Sequence, residues 1–545
     1  MKREIIETDV LCVGGGIAGL MAAIRASELG AKVVVAEKAN PARSGSAAVG
    51  CDHFRCYIPE VHGDDITPNV EQTLNAITGF MRDRKFVQTW MEKSFDIIKL
   101  WDSWGIPMKY QGRWEFAGHA LPGGLLACLK YSGKNQKPIL TKEALSRGVQ
   151  IMDRVMVFDL LGDGSVKGAI GINTREEKFI EFHAKSVVLG TGLTTRLFPG
   201  PTPGWMFNLA YSPNNTGDGR GMAYRAGAEI ANAELTMSWS GPKPFARCGK
   251  GTWVGVLRDP QGRPVGPFVT KPEKRYGDVT SDIWNTLFED YSNASRGPVY
   301  MDCAGITEED FEYMMYWMRH EGNDALLNHL AEEGRDLRDT PVEFMTYEMM
   351  FSGGVRYNEK GETSLAGLYA AGDEFFGAVS CAATFGWIAG ENAAMHADLS
   401  RAPKADPPTG EIEERSNMIE AIPLRESGAS WQEVNIALQE IMKDYAGAVR
   451  NDTLLEAGLG YLMRLKDKAC HMLSAKNQHE LMHCLEVLNL LDLAELVFVG
   501  ARERKETRNR HVRNDYPFTN PLLGKMLIVK QVGGKPVTSW MELKR

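Results

Sequence analysis

Gly14, Gly16, Gly19 and Glu37 specify a chemistry by type and spacing. In TDVLCVGGGIAGLMAAIRASELGAKVVVAE, residues 8–37, an apolar β-type run from Val10 to Val13 breaks into a Gly-x-Gly-x-x-Gly turn. A helical pattern follows, then a β-branched run from Val33 to Val35 that ends on an acid. This is the pattern of a dinucleotide cradle. Gly14 permits the tight exit from the strand, Gly16 lets the backbone approach a pyrophosphate, and Gly19 lets the helix pack on the sheet. The amides around Ile17 and Ala18, at the positive end of the helix dipole, face the phosphates. Glu37 is placed to accept from both ribose hydroxyls, and an acid there disfavours the 2′-phosphate of NADP.

Lys38 to Gly50 is a loop of mostly small residues, in which Lys38, Arg43, Ser44, Gly45, Ser46 and Gly50 offer a second seat for phosphate and a flat ring. Further candidates for the cofactor are Val155 within a β-type stretch, Thr191 and Gly192 at a strand end, and Asp218 at a helix start. Gly372 and Asp373 close another strand. Ala378, Val379 and Ser380 open the next helix, whose dipole would stabilise negative charge. Candidates for a substrate are Arg55, with His53 beside it, then Trp114, His119, Arg247 and Arg258. Cys51 and Cys56 have the C-x₄-C spacing of flavin disulfide reductases, but those enzymes carry a second nucleotide turn and this chain has none.

The elements that must hold these residues follow from periodicity. Helical patterns span residues 70–77, 85–104 and 138–147, and a β-meander from Val149 to Gly192 returns the chain to the first sheet. The expected fold class is α/β. A Rossmann-type nucleotide-binding domain (1–230 and 351–400) is interrupted by an α+β capping insertion (231–350), and a C-terminal helical domain and tail follow (410–545). The Pro- and charge-rich joint at 401–408 marks the last boundary, and helical spacing at 430–445, 452–467 and 477–501 suggests a three-helix bundle.

Four stretches, in order, are similar to the fumarate reductase, succinate dehydrogenase and adenylylsulfate reductase flavoprotein superfamily. They are VGGGIAGL, TGDGRGMAYRAGAE at 216–229, LAGLYAAGDE at 365–374 and ARERKETRNRHVRNDYP at 501–517. The resemblance implies FAD as cofactor, an oxidoreductase activity and an iron–sulfur partner of ferredoxin type. It also implies a mainly structural role for Glu506, Arg508, Arg510 and Arg513. Gly45 stands where covalently flavinylated members have histidine, so FAD is expected to be non-covalent. Arg43-Ser44-Gly45, Trp114 with His119, and Gly133 with Lys137-Pro138-Ile139 resemble the adenylylsulfate reductase branch. Met349 and Phe351-Ser352 replace the histidines that relatives carry near the Gly-Gly pair, and the loop Gly372–Ser380 has no arginine. The expected substrate is therefore a small organic molecule other than fumarate or adenylylsulfate. A stand-alone reductase or dehydrogenase of an unsaturated acid, and an electron-transfer module without a substrate, remain open.

Composition bounds the rest. A formal net charge of −8 and no basic run interleaved with aromatics argue against nucleic acid. The nine cysteines include no C-x-x-C, so neither a zinc site nor an iron–sulfur cluster is expected within this chain. Met1 leads almost directly into the first strand and no apolar stretch reaches eighteen residues, so the expectation is a cytoplasmic chain without a membrane span.

Overall fold

The computed structural model describes residues 1–76, 81–116, 126–202, 205–243, 245, 252–276, 279–280, 284, 286–399 and 409–545. Strand β1 (Lys2–Val13) is longer than the apolar run suggests, because its first residues pair along the whole of a partner strand while staying largely exposed. Helix α1 (Ile17–Glu28) and strand β2 (Val33–Glu37) complete the opening unit, with β1 and β2 parallel from Val10↔Val33 to Val13↔Ala36. All five residues of β2 are buried, as a strand covered on both faces requires.

A short separate sheet contains β3 (His53–Arg55), β4 (Glu115–Phe116) and β5 (Cys128–Lys130), in the order β3-β5-β4. The meander then supplies β6 (Gln150–Asp153), β7 (Val155–Leu161), β8 (Gly168–Asn173) and β9 (Lys178–Leu189). The main sheet has the order β6-β2-β1-β9-β8-β7, and the strand Leu368–Ala370 pairs with β9. Chain from both sides of the 231–350 segment thus builds one sheet.

The helix Ala378–Leu399 lies across α1 with glycines at the contact. A Cβ on Gly386 would come within 2.5 Å of the Ala18 carbonyl oxygen, and one on Gly390 within 2.2 Å of the Ala22 oxygen. The two helices therefore touch backbone to backbone, which holds their N-termini at the same end of the sheet.

Between these halves, the strands Ser240–Pro242, Val342–Thr346, Val299–Asp302 and Val256–Arg258 form an antiparallel sheet in that order. Trp253, Leu257, Leu287, Met301, Met314 and Phe344 pack into a second core with the helix Glu308–Glu321. Toward the C-terminus, the helices Trp431–Ala446, Asp452–Met472 and Gln478–Glu503 pack on one another. The first begins with a capping box between Ser430 and Glu433. The tail is a β-hairpin, Met526–Val532 with Lys535–Met541, that pairs with Ile230–Ala231 rather than extending the helices. No helix among the described residues is long and apolar enough to cross a membrane.

Candidate functional site

A cavity of about 1090 Å³ begins at the glycine turn, passes between the two helix N-termini and reaches the inserted segment. Gly14, Gly16, Ile17 and Ala18 line one end with Glu37, Lys38, Ser44, Gly45, Ser46 and Gly50. Val155, Thr191, Gly192, Asp218, Asp373, Ala378, Val379 and Ser380 also reach it. Gly19, Arg43 and Gly372 do not line it, for different reasons. Gly19 is pressed against the turn, where a Cβ would lie 1.8 Å from the Gly14 oxygen. Arg43 is exposed. Gly372 takes φ +63° behind the wall, and its carbonyl accepts from the Tyr357 hydroxyl at 3.0 Å.

Glu37 holds the cradle as well as facing it. Its Oε2 accepts from the Gly15 amide at 2.6 Å, and its Oε1 from the Ala39 amide at 2.9 Å and the Ser44 hydroxyl at 3.0 Å. Lys137, buried, donates to the Gly15 carbonyl from beneath the turn. Burial brings its ammonium down to about 8, opposed by the charge of Glu37. Glu37→Ala should therefore weaken nucleotide binding and loosen the turn together, by about 1.5–3 kcal/mol in binding for each charge-assisted bond that matters. Equilibrium titration of the apoprotein with FAD checks this, and an unchanged affinity would detach Glu37 from the cofactor.

At the other helix, Asp373 Oδ1 accepts from the amides of Gly377 and Ala378 at 3.1 and 2.9 Å. It thereby fixes the turn that aims the helix N-terminus into the cavity, with Ala378 at φ +61°. The amides of a first helical turn have no partner within the helix, so this wall offers donors and a positive dipole end. Arg220, fully buried, donates to the carbonyls of Asp373 and Glu374 and to Thr194 Oγ1.

Lys38 anchors the seat to the C-terminal helices. Its Nζ lies 2.7 Å from both Asp218 Oδ2 and Glu486 Oε1, and Glu486 Oε2 accepts from Arg196 at 2.8 Å. His483 Nδ1 lies 2.7 Å from the same oxygen. Burial alone would raise the Glu486 carboxyl; Lys38, Arg196 and His483 outweigh it and hold it well below the usual range.

The substrate candidates divide. Arg55 and His53 line the cavity. Trp114, just before β4, does not: its indole donates to Glu60 at 2.9 Å and packs edge-on to Phe95. Arg258 is spent on Asp302 at 2.7 Å, across the pair of strands that carries it. His119 and Arg247 lie outside the described residues. Arg510, expected to be structural, pairs with Glu289 at 2.6 Å and also reaches the cavity. Arg513 donates to the Ala501 carbonyl and pairs with Asp452 and Asp515, and Arg508 pairs with Glu506 at 2.6 Å.

Cys51 and Cys56 are not joined in a disulfide. The ladder from Cys51 O←Gly133 N to Cys56 N→Ala127 O keeps the intervening chain extended. At about 3.3 Å per residue their Cα atoms stand well beyond disulfide range. Burial also pushes the Cys56 thiol up.

The sequence reading missed Asp52, Lys130, Thr252 and Glu321, which meet beside His53. Lys130 Nζ lies 2.6 Å from Asp52 Oδ2, and the Thr252 hydroxyl lies 2.5 Å from that oxygen and 2.8 Å from Glu321 Oε2. Ligand atoms of Asp52, His53 and Glu321 come within 4.8 Å of one another. The Lys130 ammonium already supplies a cation there, so the cluster is an ion-paired network. No local motif signals it, since its members come from four separate segments.

The residues fit FAD on the chain's own geometry. Two helix N-termini face one cavity, glycines leave room for close approach, and the buried Ser46 hydroxyl at its wall has no protein partner. Fold and cavity define an FAD-dependent oxidoreductase. The chain belongs to the FAD binding domain family, which matches residues 9–385, and residues 435–522 match the fumarate reductase flavoprotein C-terminal family. It is 26% identical over 550 residues to a subunit of the fumarate reductase (CoM/CoB) of Methanothermobacter marburgensis, covering 96% of each chain. It is 26% identical over 550 residues to the L-aspartate oxidase of Yersinia pestis, covering 94% of this chain and 96% of that one. The fold is similar to adenylylsulfate reductase from Archaeoglobus fulgidus, with TM-score 0.87 and 23% identity over 100% of this chain and 97% of the other.

With Gly45 at the cavity wall, no side chain at that position can bond the ring. Acid precipitation should therefore release all the yellow colour into the supernatant; colour left in the pellet would mean a covalent link.

Proposed function

We propose that this chain is the flavoprotein subunit of an assembly in which electrons pass between a small organic substrate and an iron–sulfur partner protein. The observation that carries the reading is the continuity of the cavity, from the Gly14–Gly19 turn to a wall of Arg55, His53 and Trp239, which leaves room for a substrate beyond the nucleotide end. FAD, when bound, supplies two-electron exchange with an organic substrate and one-electron exchange with metal centres. The chain's own residues do the rest. Glu37, Lys38 and the two helix N-termini would hold the cofactor, and the Ala378 helix favours negative charge near its N-terminus. Ser238, Trp239 and Ser240 of the 231–350 segment line the same cavity, where they would help to keep water from the reacting end.

Support for a partner comes from two sides. The single nucleotide turn would be taken by FAD, which leaves a nicotinamide without a phosphate cradle. Several similar proteins are also named as subunits. The described cysteines are thiols, which suits a reducing compartment, and we place the assembly in the cytoplasm. We keep the substrate distinct from fumarate and adenylylsulfate, because Met349 and Phe351-Ser352 stand where those relatives present histidine.

Anaerobic stopped-flow mixing of the purified chain with NADH or NADPH tests the reading. The expected result is no rapid bleaching of the flavin band until a reduced ferredoxin-type protein is added. Rapid bleaching by nicotinamide alone would overturn it.

A further inference from the structure

Strand β3 puts His53 and Arg55 on one face, toward the cavity, and Phe54 on the other, buried against the rings of Trp101 and Tyr131. Alternation along a strand makes this pairing automatic once Phe54 is committed to the core. The His53 ring is held from behind. Its Nδ1 lies 2.8 Å from Asp52 Oδ1, and Asp52 is fully buried. The second carboxylate oxygen is fixed by Lys130 and Thr252, and Thr252 also reaches Glu321. Burial alone would raise the Asp52 carboxyl; the Lys130 charge and the bond to His53 outweigh it, so it stays ionised.

A buried carboxylate at Nδ1 sets the orientation and tautomer of an imidazole, leaving Nε2 as the nitrogen that can exchange a proton. Two residues on, Arg55 is half-buried at the same wall. Its hydrogen bond is a long one to Thr73 Oγ1, 3.4 Å, and among the described residues no carboxylate pairs with it. A cavity-facing guanidinium that no carboxylate neutralises is a seat for an anion.

We propose that Asp52 and His53 are the proton-transfer pair of this site: His53 exchanges a proton with a small organic anion whose carboxylate Arg55 holds, and Asp52 positions the imidazole. The proposal rests on the reading of the cavity as the place where FAD and substrate meet. A two-electron change at the substrate moves one hydride and one proton. FAD, when bound, would give or take the hydride and His53 Nε2 exchanges the proton, so reduction forms two bonds to hydrogen and oxidation breaks the same two. In reduction the imidazolium becomes neutral imidazole and is reprotonated from solvent; in oxidation it becomes imidazolium and releases the proton there.

The test uses the full FAD-loaded chain with ¹⁵N-labelled histidine, acetate as the carboxylate probe and chloride as the ionic control. His53→Gln identifies the His53 signal by its loss. The expected signal is that of a ring protonated at Nδ1; Asp52→Asn changes its tautomer while FAD stays bound. Acetate, and not chloride, should shift both this signal and the flavin visible band, and Arg55→Met should weaken that response by about tenfold or more. The proposal is overturned by a neutral ring protonated at Nε2 alone in the wild type, which needs no variant to fold. A response to acetate no larger than to chloride, or one that Arg55→Met leaves intact, also overturns it. A chain that fails to bind FAD would instead defeat the reading of the cavity.

Discussion

Gly19→Ala is expected to abolish stable FAD retention. The new Cβ would sit 1.8 Å from the Gly14 carbonyl oxygen and 3.1 Å from its carbon. Both contacts are backbone, so no side chain can swing aside. Either α1 moves off β1 or the turn opens, and each displaces the amides that face the pyrophosphate. Overpacking of this kind costs about 1–3 kcal/mol in stability, and the backbone contact places this case at the upper end. Loss of the amide geometry should weaken FAD at least about tenfold, or about 1.4 kcal/mol. Gly460→Ala is the control. It lies within the helix Asp452–Met472 with nothing within 4 Å of its added Cβ, so it should be neutral or stabilising by about 0.5–1 kcal/mol. Thermal unfolding and FAD titration of the two variants measure the contrast. A Gly19→Ala protein that keeps its flavin through gel filtration would show that the turn is looser than the structure has it.

Glu486→Gln should produce the largest loss through charge. The substitution leaves Lys38 with Asp218 as its carboxylate partner and Thr216 as a neutral one, and removes the carboxylate from the fully buried Arg196. Breaking a buried pair by removing one partner costs about 3–5 kcal/mol. Because Lys38 also lines the cavity, FAD affinity should fall with stability. The same cluster sets a pH window. The Glu486 carboxyl is depressed in the folded chain, so its stabilisation is complete above the unfolded value, about 4.3, and is lost as pH falls through the folded value. The Lys38 ammonium is held above its ordinary 10.5: although burial opposes it, Asp218 and Glu486 prevail. Its contribution is complete below that value and is lost as pH rises through the folded one. Urea unfolding across acid pH should show the wild type losing stability where Glu486→Gln changes little. Breaking the exposed pair Lys99–Asp96 by Lys99→Gln should leave the midpoint in place. Parallel acid profiles for wild type and Glu486→Gln would mean that this carboxylate does not carry the transition.

The sequence by itself determined the cofactor end of this protein. A strand that must leave through Gly14, a helix that must touch it at Gly19 and an acid at Glu37 are local demands, readable in thirty consecutive residues. The helices at Trp431–Ala446 and Asp452–Met472 were legible for a similar reason, since apolar spacing records which face is buried. The substrate end was not. Arg258 and Arg55 are the same residue type in loop-rich surroundings, yet one is neutralised by Asp302 across a strand pair and the other opens on the cavity. Only the tertiary structure decided between them, because an ion pair depends on which distant segment packs alongside. It also brought Asp52 of one loop to Lys130 of β5, Thr252 of the insertion and Glu321 of a helix end, and set Lys38 between Asp218 and Glu486. These groups are far apart along the chain. Burial strengthens their interactions and makes unpaired members costly, so the assembled fold, rather than any local spacing, fixes their partners.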